Sequence, residues 1–105
     1  MEKLKVALEY ERLGEEIKEQ IKLVYPDGFR DFLISYPGKE GQRISALRFE
    51  TDEKIYLIRM TSQQALDIIE ADPDYEDGSL IDDIRDDYEE KHSDVNLSDN
   101  DNYDG

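Results

Sequence analysis

The sequence predicts a small α+β domain made of an N-terminal helix, a three-stranded antiparallel sheet, two C-terminal helices and a disordered acidic tail. Three observations carry this. Apolar residues in the first 25 positions recur at helical spacing, three runs between Phe29 and Met60 read as strands, and two helical patterns follow Thr61 before the composition turns to Asp, Asn and Ser. A chain of 105 residues holds one domain, predicted over residues 1–92, with the tail from 93 to 105.

The N-terminal helix rests on Val6, Tyr10, Leu13, Ile17, Ile21 and Val24, which draw one stripe down a cylinder of 3.6-residue period. Gly14 interrupts that stripe at a cost of about 1 kcal/mol relative to Ala, which leaves open two shorter helices or a strand followed by a helix. Tyr25-Pro26-Asp27-Gly28 is a turn signature and stops the helix.

The strand-like runs are Phe29–Tyr36, Arg43–Glu50 and Lys54–Met60, the last two close enough to form a hairpin. For an even-length loop, Ser45, Leu47, Phe49, Tyr56, Ile58 and Met60 share one face, and Ile44, Ala46, Arg48, Ile55, Leu57 and Arg59 share the other. The first set is bulkier and should meet the helices. The second is mixed. Arg48 and Arg59 make it a candidate contact surface, since arginine is enriched at interface hot spots. The simpler expectation is that one of the protein's own helices covers this face and leaves the arginines at its rim. A third reading has the acidic C-terminal half dock back over them.

Thr61 with Gln64 three positions on fits a capping box and opens the second helix, which Asp72-Pro73 ends. An acidic linker, Asp72–Gly78, leads to Ser79, which with Asp82 suggests the cap of a third helix running to about Glu90 along Leu80, Ile81, Ile84 and Tyr88. From His92 onward the chain lacks Lys, Arg and periodicity. Such a segment cannot bury enough apolar surface to offset its chain entropy.

The net charge is −15, and its distribution says more than its size. Residues 1–60 hold 11 Lys/Arg and 12 Asp/Glu, whereas residues 61–105 hold Arg85 and Lys91 against 16 Asp/Glu. With no basic footprint, direct nucleic-acid binding is not expected. The absence of cysteine excludes disulfides, thiolate metal sites and cysteine nucleophiles. The first residues show no apolar signal region, and no apolar run approaches the ~18 residues of a membrane span, so a cytosolic setting without membrane association is expected.

No motif points to catalysis or to a cofactor. The glycines match neither a dinucleotide fingerprint nor a phosphate loop. His92 is the only histidine and reads as a surface side chain at a helix end. Loops opening at Asp72 or Asp94 fail the EF-hand pattern at the required glycine and the closing glutamate.

The carboxylate pairs Asp82–Asp86, Asp83–Asp87 and Asp86–Glu90 each lie on one helix face. They admit two readings. One is a non-catalytic interaction module whose acidic C-terminal half (Asp82, Asp83, Asp86, Asp87, Glu90) engages a basic protein, such as a ribosomal protein, a nucleic-acid-binding protein or a toxin nuclease held by an inhibitor. The alternative is a protein that binds a divalent metal or small ligand through the same carboxylates. The interaction module is the expected function, with no metal site and no cofactor.

Overall fold

Where one N-terminal helix was expected, the described residues open on a strand followed by a helix, the alternative that Gly14 left open. The computed structural model describes residues 3–93, so the tail expected beyond His92 lies, from residue 94 on, outside the described residues. Leu4–Glu9 forms strand β1. Leu4, Val6 and Leu8 alternate with Lys5, Ala7 and Glu9, and this period of two prevails over the helical stripe because a neighbouring strand supplies the backbone partners. A single 3₁₀ turn, Tyr10–Arg12, follows. Helix α1 then covers only Glu15–Val24, with Gly14 at its N-cap.

The strand expected at Phe29–Tyr36 is also shorter. Arg30–Phe32 makes a 3₁₀ turn that buries Phe29, and strand β2 is confined to Ile34–Pro37. Arg43–Glu50 forms β3 and Lys54–Arg59 forms β4. The sheet order is β1-β4-β3-β2, with β1 parallel to β4 and the remaining pairs antiparallel. The α+β class holds, but the sheet is four-stranded and mixed, not three-stranded and antiparallel.

Helix α2, Ser62–Ala71, opens with the expected capping box: the Gln64 amide donates to Thr61 Oγ1, and the Thr61 amide donates to Gln64 Oε1. The segment expected as a linker is a small hairpin, β5 (Tyr75–Glu76) against β6 (Ser79–Leu80). Its turn residues, Asp77 (φ 54°) and Gly78 (φ 84°), both lie in the left-handed region, as a two-residue hairpin turn of Asp-Gly type requires. Ser79 therefore belongs to a strand and caps nothing. Helix α3, Asp82–Lys91, starts after Ile81, which offers no side-chain cap.

The core forms on one face of the sheet. Leu47, Phe49, Ile58 and Met60 cluster with Ile21 of α1, Ala65 and Ile69 of α2, and Tyr10, Leu13, Phe29, Tyr75 and Leu80. The register that pairs Leu47 with Ile58 and Phe49 with Tyr56 confirms how the hairpin faces sort. All three helices send apolar side chains into this cluster, α3 through Ile84. None of Ile34, Ile44, Ala46, Ile55 or Leu57, on the opposite face, joins it. Among the described residues no helix covers that face, contrary to the simpler expectation. No helix is long and apolar enough to cross a membrane.

Candidate functional site

One buried cation from α1 ties two carboxylates of the acidic half into the fold. Lys22 of α1 is 7% exposed, and its Nζ lies 2.6 Å from Asp72 Oδ2 and 2.8 Å from Asp74 Oδ2. The Tyr88 hydroxyl of α3 donates to Asp74 Oδ2 at 2.6 Å, and the Tyr75 hydroxyl donates to the Tyr25 carbonyl at 2.9 Å. Burial opposes a charged Lys22, but the two aspartates outweigh it and raise its pKa. Burial likewise resists ionisation of Asp74, yet Lys22 and Tyr88 hold its carboxyl below the ordinary value. The Tyr10 hydroxyl is buried without a partner, and burial pushes its pKa up to about 12.

A second set of ion pairs fixes the far end of α3 to α1. His92 is 5% exposed, with Nε2 2.8 Å from Glu19 Oε1 and Nδ1 3.7 Å from Glu16 Oε1. Lys91 Nζ stands 3.0 Å from Glu19 Oε1 and 3.6 Å from Glu16 Oε2. Burial works against a charged Glu19, but its bonds to His92 and Lys91 dominate and lower its pKa. The histidine expected at the surface is therefore buried by the docking of α3.

Glu16, Glu19 and His92 bring one ligand atom each within 4.8 Å of one another, so these are the residues that could hold a metal ion. The Lys91 ammonium already contacts both carboxylates, and the two imidazole nitrogens face different ones. The arrangement serves best as a clamp between helices. The α3 carboxylates form no such group of three among the described residues.

The outer carboxylates are placed differently. Asp82, Asp83, Asp86, Asp87, Glu89 and Glu90 of α3 are all exposed. Among the described residues none of them accepts an ion pair or a side-chain hydrogen bond, in contrast to Asp72, Asp74 and Glu19 behind them. The nearest continuation of this surface is the β5–β6 turn. Glu76 and Ser79 line a shallow depression together with Asp82 and Asp83.

On its other side, the same turn borders a cleft of about 530 Å³ between α2 and the Asp27–Asp31 segment. Leu66, Ile69, Phe29 and Tyr75 give it apolar walls, and Asp27, Asp31, Glu70 and Asp77 stand around it. Arg30 is the one cation among its lining residues, and its Nε lies 3.5 Å from Asp31. A further cleft of about 450 Å³ lies at the end of β4, between Glu9, Arg43, Arg59 and the start of α2. There Arg59 Nη2 pairs with Glu9 at 2.8 Å, while Arg59 Nε is buried without a partner.

The predicted site residues thus divide. Asp82, Asp83, Asp86, Asp87 and Glu90 share one exposed helix, as expected. Arg48 and Arg59 lie on the uncovered sheet face, paired with Glu50 and Glu9, and α3 does not dock over them. The sequence reading missed the cleft because its rim comes from three separated segments. It also missed the ion cluster, whose Lys22 looked like any residue on a polar helix face. One signal was available: Asp77-Gly78 is a hairpin-turn dipeptide. No protein-family model, no curated protein and no solved structure matches this chain.

Proposed function

We propose that the protein is a non-catalytic interaction module that receives a basic protein partner on the acidic surface of α3 and the β5–β6 turn. One observation carries the reading: Lys22 of α1 neutralises the inner Asp72 and Asp74 and Lys91 pairs with Glu19, while among the described residues the six carboxylates of α3 stay exposed and unpaired. Carboxylates needed only to hold the fold would be partnered, as Asp72, Asp74 and Glu19 are. An unneutralised surface raises the local concentration of a cationic partner and speeds its association, an effect confined to about 8 Å at physiological ionic strength.

The test compares the wild type with a variant carrying Asp82→Asn, Asp83→Asn, Asp86→Asn and Asp87→Asn. Each serves as bait in lysate of the source cell at low and high salt, and the captured protein is then purified and its association rate measured. The expected outcome is a basic protein whose association slows with salt and slows about tenfold or more in the variant. A partner indifferent to both salt and substitution, or no partner at all, sinks the proposal.

A further inference from the structure

The cleft beside the β5–β6 turn has two properties that the open face of α3 lacks: it is concave, and an exposed leucine, Leu66, forms part of its wall. Leu66 is 41% exposed although it belongs to the helix that covers the core, and it borders the cleft together with the inner residue Ile69. Around them stand four carboxylates, Asp27, Asp31, Glu70 and Asp77, from three separate segments of the chain. A pocket with apolar walls and a few convergent charged groups is the usual form of a specific site.

Two glycine turns hold the rim in place. Gly28 (φ 104°) and Gly78 (φ 84°) follow Asp27 and Asp77, and a Cβ on Gly28 would stand 3.8 Å from the Gly78 carbonyl. The turns therefore approach each other backbone to backbone, and Asp27 and Asp77 sit on anchored loops. Leu80 reinforces the anchor by donating its amide to the Pro26 carbonyl at 2.7 Å.

Resting on the interaction-module reading above, we infer that this cleft is the anchor point for the partner: it takes an apolar side chain flanked by lysine or arginine. Charge complementarity selects the flanks, because four rim carboxylates face a single arginine that is itself paired with Asp31. The exposed Leu66 wall selects the central side chain, which α3, with every outer position charged, cannot do. The α3 surface then provides steering and the cleft provides specificity, in the way rim charges act on encounter rates while buried anchors act on dissociation.

The experiment uses a capped Lys-Lys-Leu-Lys-Lys peptide and the same peptide with serine in place of leucine, titrated into ¹⁵N-labelled protein and followed by amide shifts. The inference expects the leucine peptide to bind about tenfold tighter, the factor expected from burying most of one apolar side chain. Its shifts should centre on Gly28, Leu66, Ile69 and Gly78. Leu66→Gln should abolish the difference between the peptides. Glu70→Gln with Asp77→Asn should weaken both, and asparagine keeps the left-handed turn that Asp77 occupies.

Equal binding of the two peptides, with shifts confined to α3, overturns the cleft as anchor and leaves the acidic-surface reading standing. No shift from either peptide at low salt overturns both. Cleft amides that broaden with protein concentration before any peptide is added would assign the cleft to a second copy of this chain, and this too overturns the inference.

Discussion

Lys22 shows how much one side chain can organise in a domain this small. Its ammonium joins α1 to the residues leading into the β5–β6 hairpin through Asp72 and Asp74, and through Asp74 to Tyr88 of α3. Lys22→Met removes the cation and leaves two partly buried carboxylates without a cationic partner. The expected loss is about 3 kcal/mol at neutral pH, the lower end for breaking a buried pair.

The pH dependence follows from Asp74, whose carboxyl is held below its ordinary pKa in the folded state despite burial, chiefly by Lys22. Such a group contributes stability above the ordinary carboxylate range, and that contribution fades as pH falls through the depressed folded value. The deficit of the Lys22→Met variant should therefore shrink on acidification, because Asp74, freed of Lys22, can take up a proton. Urea unfolding of both proteins at neutral pH and at the acid edge of the carboxylate range measures this. A deficit that stays constant would show that packing, and not charge, is what Lys22 supplies.

Among the elements, what could be read in the sequence is what local chemistry determines. The α2 start was legible because Thr61 and Gln64 satisfy each other's backbone amides within a single turn. Thr61→Ala should accordingly cost about 1 kcal/mol, measured by thermal unfolding, and a much smaller loss would mean that Gln64 alone caps the helix. The β3–β4 faces were legible because a short turn fixes their register. β1 was not, since Val6 and Tyr10 suit a helix equally well and the strand that decides the matter lies far along the chain. The β5–β6 hairpin has only two residues on each side of its turn, too few to show alternation. His92 looked free because nothing adjacent in sequence reveals that α3 folds back onto Glu16 and Glu19.

For the molecule as a whole, the helices lie on one side of the sheet and the strongest surface charge lies with them. Among the described acids after residue 60, Asp72 and Asp74 close the fold through Lys22, whereas the six on α3 stay exposed without an ion-pair partner. The candidate site belongs to this level. The α3 charges were visible as composition, but the cleft appears only when Asp27, Glu70 and Asp77 are brought together by packing. The other side of the sheet, with Arg48 and Arg59 each held by a glutamate, carries its charges in pairs.

The parallel pairing of β1 with β4 also sets an order of events. Each residue of β1 pairs with the one 50 positions further along, from Leu4 with Lys54 to Glu9 with Arg59, whereas β3 and β4 meet across a tight turn. Closing the longer loop costs more chain entropy, so the β3–β4 hairpin should assemble first and β1 should add to an edge already formed. In a refolding series, Ile58→Val should slow folding, while Val6→Ala should mainly hasten unfolding. Synthesised well before its partner strand, β1 would then be among the last of these strands to find its place, with Leu4, Val6 and Leu8 unpaired until residue 59 has emerged.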